Sequence, residues 1–263
     1  MSYYRVAAFH ALNRSQFNKI ESIAIHYDWN LAFSGKSLGN AHLARTVSIT
    51  KHLWEMVHSK DDPEKDVKIK IELDVAIAGA LLHDIGLVEG NKGHCFAGKK
   101  IAKQLLSEIE ISDDIASAIL HCIEAHDGEV AAQSEAAKLV HDADTIDKLG
   151  PLGVIRHIWK LSLLGEPDME PKLLSEIVSE HLKTRFENLY LPQSRKVAEE
   201  LIDAQAKMFE LPDAFHKLVD FIYQSSASGI PVDRMLPDLI KSIQLDSDVI
   251  EVLNKQIDLG IIE

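Results

Sequence analysis

The chain has 263 residues, of which 46% are hydrophobic and 26% charged, and its formal net charge is −13. A protein that grips a nucleic-acid polymer needs a basic face, so this charge argues against such a partner. The two cysteines form no disulfide framework, which suits a reducing compartment. Because no apolar run is long enough for a bilayer and the first residues lack a signal-peptide pattern, we expect a cytoplasmic protein without a membrane partner.

Apolar residues recur at three- and four-residue spacings along nearly the whole chain, and glycine and proline are sparse. This periodicity predicts an all-α protein. In chain order, the predicted helices are 15–29, 41–58, 72–85, 94–107, 112–126, 133–148, 151–164, 171–189, 193–209, 212–226, 233–243 and 246–258.

The stretch GEPDMEP at 165–171 is the best internal boundary in the sequence. It predicts a core in residues 1–165 and a helical C-terminal extension in residues 166–263. We expect the extension to pack on the core as one domain, although the same helices could instead form a homodimer.

Histidine and aspartate are concentrated in three segments, GALLHDIGLVEGNKGH, AILHCIEAHDG and LVHDADTIDKLG. These residue types are ligands for divalent transition metals. Helical phase places Asp84 on the apolar stripe of its predicted helix with Ile77 and Ala80, and His83 on the flank of that stripe.

Other predicted helices also direct a histidine or an aspartate towards the core. Phase places four such side chains inward: His42, His94, His126 and Asp144. Because an unpaired charge in an apolar core is expensive, a shared cation is the most economical explanation for so many inward polar groups. For any one of them, a hydrogen-bonded core residue is the alternative.

The remaining histidines show no such arrangement. His121 is in phase with the polar residues Asp114, Ser117 and Glu124, so we expect it to face solvent. No partner pattern is visible for His52, His58, His157, His181 and His216.

An early histidine, an HD dipeptide in an ALLHDIG segment and a later aspartate resemble the signature of the HD-domain metal-dependent phosphohydrolase superfamily. AILHCIEAHDG and DADTIDKLGPLGVIR are similar to segments of its small bacterial hydrolases. The resemblance covers roughly residues 35–165 and implies an HD-type helical bundle. The metal ligands that it implies are His42, His83, Asp84 and Asp144, and in members with a second metal also His94 and His126.

The resemblance further implies hydrolysis of a phosphoester or phosphoanhydride by metal-activated water, in a nucleotide or another small phosphorylated molecule. One or two divalent ions (Mn, Mg, Fe, Co or Zn) would be required, with Asp84 central to catalysis. Candidate phosphate contacts are Arg45, Lys148 and Arg156, each of which could instead be a surface cation. Many members have a lysine after HDIG, where this chain has Leu87; Lys92 could substitute for it.

Two alternatives stay open at this point. Some HD-domain proteins are di-iron oxygenases that act on a polyol or a phosphonate, and they use the same six side chains. The other alternative is a binding module with a degenerate site, against which the intact HD pair and Asp144 argue.

Overall fold

The computed structural model describes residues 11–27, 39–58, 66–163 and 171–259. Within these ranges the chain forms α-helices and no strands, so the predicted all-α class is confirmed. The helices are α1 (Arg14–His26), α2 (Gly39–Val57), α3 (Asp66–Leu82), α4 (His94–Ser107), α5 (Asp113–Ala125), α6 (Glu135–Asp147), α7 (Gly150–Leu163), α8 (Pro171–Glu187), α9 (Pro192–Glu210), α10 (Pro212–Ala227), α11 (Val232–Ser242) and α12 (Ser247–Asp258). None of these helices is both long and apolar enough to cross a bilayer.

Each predicted helix has a counterpart, and α4 has the predicted bounds. The largest differences concern α3, which begins at Asp66 instead of residue 72 and ends at Leu82 instead of residue 85. His83 and Asp84 form a turn that leads into a 3-10 helix, Ile85–Glu89. The prediction that the HD pair lies within the helix was therefore wrong, and the pair instead follows its last residue.

Contacts between Cα atoms divide the chain into two compact units, one running through Asp144 and the other comprising Thr145–Leu259. In the first unit α3 is the central helix and packs on α1, α2 and α5. Its residues from Asp74 onward are buried on every face, not along one stripe, because nearly all of them are apolar. Gly79 allows the close approach of α5 and α6, since a Cβ there would lie 2.5 Å from Cys122 Cβ and 3.3 Å from Val140 Cγ2.

In the second unit α7 is the central helix and contacts each of the helices α8 to α12. Glutamines from other helices bind the unpaired backbone groups at its beginning. Gln205 Oε1 accepts from the Gly150 N–H at 3.1 Å, and Gln256 Oε1 accepts from the Leu152 N–H at 3.1 Å. These contacts place α7 with the C-terminal helices.

The division of contacts falls inside α6 because α7 is buried against the C-terminal helices. The organisation expected from the sequence, a core in residues 1–165 with a helical extension packed on it as one domain, stays a prediction. Residues 164–170, which include most of the GEPDMEP stretch, lie outside the described residues.

Candidate metal centre

Four buried side chains of the first unit converge on one point. His42 Nε2 and His83 Nε2 are 3.1 Å apart. Asp84 Oδ2 lies 3.4 Å from each of these nitrogens. Asp144 Oδ1 lies 3.3 Å from His42 Nε2 and 3.5 Å from His83 Nε2. Two imidazole nitrogens and two carboxylate oxygens thus form the first donor set.

The other oxygen of Asp84 belongs to a second donor set. His94 Nε2 and His126 Nε2 are 2.9 Å apart, and each lies 3.4 Å from Asp84 Oδ1. The Asp84 carboxylate therefore stands between the two sets and offers one oxygen to each. We call the six side chains of both sets the metal centre: His42, His83, Asp84, His94, His126 and Asp144.

Hydrogen bonds on the far side of three rings fix which nitrogen faces the centre. The Nδ1 atoms of His83 and His126 donate to the carbonyls of Ala80 and Ile123, both at 2.7 Å, and His94 Nδ1 bonds the Asn91 carbonyl at 3.0 Å. A carbonyl only accepts, so Nδ1 carries a proton, and Nε2 faces the centre, where it can bind either a proton or a metal ion. This is the orientation that a metal-ligating histidine requires.

The local structure explains why His83 and His126 adopt this orientation. Each follows the last residue of a helix, α3 or α5, where the final carbonyls have no partner within the helix. The imidazole N–H satisfies the carbonyl three residues back. The same contact thus completes the helix end and directs Nε2 into the centre.

The buried donor atoms of the metal centre require a positive charge between them. Lone pairs of two imidazoles and oxygens of two carboxylates repel one another when buried without a cation between them. Burial by itself disfavours a charged ring at His83, but the nearby carboxylates of Asp84 and Asp144 outweigh it and raise the pKa of His83 to about 10. Burial acts in the opposite direction at Asp84, where the surrounding histidines hold the pKa well below its usual value. The residues present therefore fit divalent metal ions.

A backbone contact brings α4 to the centre. A Cβ at Gly86 would lie only 2.0 Å from the His94 carbonyl oxygen and 2.4 Å from the Gly98 nitrogen. Only glycine allows this approach, and it places the first turn of α4 directly against the segment that follows Asp84. The glycine of the HDIG segment is thus required for the second donor set.

Comparison with known proteins agrees with this site. The family model described as HD domain matches residues 40–149. This chain contains an HD domain. The match includes all six side chains of the metal centre, and HD domains belong to a superfamily of metal-dependent hydrolases that bind divalent metals.

A curated relative matches over a short stretch. The chain is 34% identical over 86 residues to ribonuclease Y from Chlorobium phaeobacteroides, a stretch that covers 32% of this chain and 15% of the relative. A crystal structure of a Lactobacillus plantarum protein superimposes with a TM-score of 0.55 at 19% identity, covering 78% of this chain and 97% of the other. At that identity the structural likeness shows the fold alone.

Two histidines that the sequence did not assign to the metal centre, His121 and His58, have hydrogen-bond partners elsewhere. His121 is partly exposed and accepts from the Gln133 N–H at 3.1 Å, away from the six converging groups. His58, which showed no partner pattern, lies 2.6 Å from Glu135 Oε1. That contact joins the residue directly after α2 to the first residue of α6, and spacing within one helix gives no signal for it.

The sequence also missed a buried histidine–aspartate pair on α6. His141 Nδ1 lies 3.0 Å from Asp142 Oδ1, and both side chains are buried. The available signal was the adjacency of these two residues in LVHDADTID, because neighbouring side chains can form a hydrogen bond when both lie on a buried helix surface.

The predicted phosphate contacts occupy different surroundings. Arg45 follows His42 by one turn of α2 and is only 2% exposed, so it is not a surface cation. Leu87 is buried within the 3-10 helix, while Lys92 is exposed in the segment before α4.

The other two predicted contacts belong to the second unit. Arg156 Nη1 donates to both the carbonyl oxygen and the carboxylate of Asp147. Lys148 is partly exposed directly after α6. The expectation that Arg45, Lys148 and Arg156 contact substrate stays a prediction.

Proposed function

We propose that the chain is a metal-dependent phosphohydrolase that cleaves a phosphoester or phosphoanhydride bond in a nucleotide or another small phosphorylated molecule. The observation that carries this proposal is the pair of donor sets that share the carboxylate of Asp84. Such an arrangement suits two neighbouring ions better than a structural site, which usually has four closed ligands around one ion.

The side chains of the centre have separate tasks in this proposal. His42, His83, Asp84 and Asp144 would hold the first ion, and Asp84 would share a second ion with the other two histidines. Bound divalent ions supply Lewis acidity, which makes water a nucleophile near neutral pH and offsets charge on a phosphoryl oxygen. The Nδ1 hydrogen bonds keep the rings from turning, so the ligand geometry is set before substrate arrives.

In this proposal substrate reaches the centre on its more exposed side. The side chains of His42, His83 and His126 are fully buried, whereas His94 is 14% exposed and neighbouring Asp127 is 15% exposed. Substrate would therefore approach on the side of the second donor set. The buried side excludes water, which strengthens the electrostatic interactions within the site.

We further propose Arg45 as a cation that offsets substrate phosphate, because it lies in the same unit as the metal centre and follows His42 by one turn of α2. Arg156 engages Asp147 within the second unit.

The size of the substrate is inferred from charge. The relative named ribonuclease Y shares only a segment that is 15% of its own length, so its name gives no substrate for the whole chain. A net charge of −13 disfavours a long polyanion, which binds through many basic contacts. A small phosphorylated molecule needs only the metal centre and a few local cations.

The test combines metal analysis with an activity screen. Purified protein would be analysed for bound metals, and then assayed under argon for phosphate or pyrophosphate release from a panel of nucleotides and small phosphoesters with Mn, Mg, Co, Fe or Zn. We expect release that needs a divalent ion but no oxygen. The Asp84→Ala variant is the matched control for contaminating phosphatase.

The di-iron oxygenase is the second candidate, because it would use the same six side chains that converge here. No release with any metal, together with O2 consumption by iron-loaded protein in the presence of a polyol or phosphonate, would replace the hydrolase proposal by that candidate.

A further inference from the structure

The carboxylate of Asp127 lies behind the more exposed histidine of the second donor set. Its Oδ2 atom is 3.9 Å from His94 Nδ1, the ring nitrogen that also bonds the Asn91 carbonyl at 3.0 Å. The other ring nitrogen, Nε2, faces Asp84 Oδ1 at 3.4 Å and His126 Nε2 at 2.9 Å. Asp127 therefore contacts the edge of the ring that is turned away from the donor atoms, and it supports the ring instead of joining the donor set.

Two hydrogen bonds hold the Asp127 carboxylate in place. The Glu129 N–H donates to Oδ1 at 3.0 Å, in a turn that Gly128 allows with its φ of +85°. The thiol of Cys95, which is fully buried, donates to the same carboxylate. Burial raises the pKa of Cys95 to about 12, and the charge of Asp127 and this hydrogen bond act in the same direction.

These contacts connect the two chain segments that carry the second donor set. Cys95 directly follows His94 in the first turn of α4, and Asp127 directly follows His126 at the end of α5. The Asp127 side chain is only 15% exposed, so water and salt screen its charge incompletely. The electrostatic effect of this carboxylate is therefore concentrated on the segments that hold the two histidines.

The surroundings of Asp127 are short of positive charge. Within the described residues its partners are the His94 ring, the Cys95 thiol and the Glu129 N–H, none of which is a lysine or an arginine. A carboxylate oxygen of Glu129 also lies within 4.8 Å of an Asp127 oxygen. Neighbouring carboxylates repel each other. A divalent ion on His94 Nε2 would supply the compensating charge through the ring that faces Asp127.

We propose that Asp127 is a positioning residue for the second ion. When His94 Nε2 binds a divalent ion, the ring becomes more positive, and a carboxylate at its far edge stabilises that charge and strengthens the ligand. The inference rests on the proposed function only in so far as the second donor set holds an ion, and it does not require phosphohydrolase activity. The helix dipole at the beginning of α4 would also attract a carboxylate, and that role would support the fold without affecting the ion.

Titration of the metal-free, full-length protein with Mn²⁺ in a calorimeter tests the proposal. We expect two binding steps in the wild type, and the second should be the step that His94→Ala removes. Asp127→Asn should weaken only this step, by about ten- to a hundredfold, which is the usual loss when the partner of a ligating histidine is removed. Asparagine keeps the shape of the side chain and an oxygen for the Glu129 N–H. Asp127→Glu keeps the charge instead and should bind the second ion more tightly than Asp127→Asn.

Glu129→Gln is the matched control. It removes the same charge from an exposed side chain whose backbone N–H, not its carboxylate, bonds Asp127. Both binding steps should match those of the wild type. Circular dichroism of the metal-free proteins should show the same helix content in Asp127→Asn, which separates support of the ion from support of the fold.

Four results would overturn the proposal. They are a single binding step in the wild type, an unchanged second step in Asp127→Asn, an equal weakening in Glu129→Gln, and a third step that Glu129→Gln removes. The last result would make Cys95, Asp127 and Glu129 a metal site of their own, since their ligand atoms lie within 4.8 Å of one another. A second step weakened only in Asp127→Asn, without phosphate release by the wild type from any substrate, would refute the proposed function and leave the positioning role in place.

Discussion

Replacing Gly86 by alanine tests how the HD segment positions the second donor set. The added methyl carbon would lie 2.0 Å from the His94 carbonyl oxygen, 2.4 Å from the Gly98 nitrogen and 2.9 Å from its Cα. Ordinary contact begins near 3.4 Å, so the backbone of α4 must move by more than an ångström. These neighbours are backbone atoms, which cannot escape by rotating a side chain.

That displacement should separate His94 from Asp84, whose facing atoms are 3.4 Å apart. A misplacement of about 1 Å can cost about a hundredfold in rate, and overpacking costs about 1–3 kcal/mol of stability. We therefore expect Gly86→Ala to lose the second metal, to lose activity by about two orders of magnitude and to melt at a lower temperature.

Elemental analysis, phosphate-release kinetics and thermal denaturation measure these three effects. Gly98→Ala is the graded control, because its nearest contact would be a movable methyl group of Ile123 at 3.1 Å, and it should be much milder. Wild-type metal content and activity in Gly86→Ala would refute the reasoning, since the backbone would then have adapted without moving the ligand.

Three further outcomes are expected. Asp84→Ala should abolish metal retention and lower activity by more than about a hundredfold while circular dichroism shows unchanged helix content, because Asp84 faces both donor sets; retained activity would exclude it as a ligand. His94→Ala should lower metal content in elemental analysis, whereas His121→Ala, outside the centre, should match the wild type; the reverse result would contradict the assignment. Urea denaturation should show that the free energy of unfolding falls from pH 6.5 towards pH 4. The folded-state pKa values of His157 and His181, about 3 and about 4, lie below the unfolded value, so unfolding takes up protons in this range. A flat profile would contradict the burial of neutral rings.

The fold class and the helices were predictable because the periodicity of apolar residues is a local property. Helix α4, for instance, has the predicted bounds from His94 to Ser107. The start of α3 was missed because apolar residues and lysines alternate in VKIKI at 67–71, a period of two that does not indicate a helix. The division of contacts inside α6 depends on contacts of α7 with distant helices, including those of Gln205 and Gln256, which local periodicity does not report.

The stacked rings of His157 on α7 and His181 on α8, with centroids 4.1 Å apart, show a second limit of sequence reasoning. His157 and His181 come from different helices, and neither has a partner at helical spacing other than a cation. Only the packing of α7 on α8 brings the two rings together. Periodicity can assign a side chain to one face of a helix, but it does not say which other face lies opposite.

Helical phase selected the residues of the metal centre, yet the physical cause lies at the helix ends. His83 and His126 each stand just beyond a helix, where phase no longer defines a direction. Their rings are directed by the carbonyl three residues back, at Ala80 and Ile123. Phase nevertheless gives the same direction at His126, because this residue continues the helical path for one further step, as its αR backbone shows. A histidine directly after a buried helix can therefore complete the helix end and a metal site with one ring, and this requirement, rather than an apolar stripe, accounts for its position.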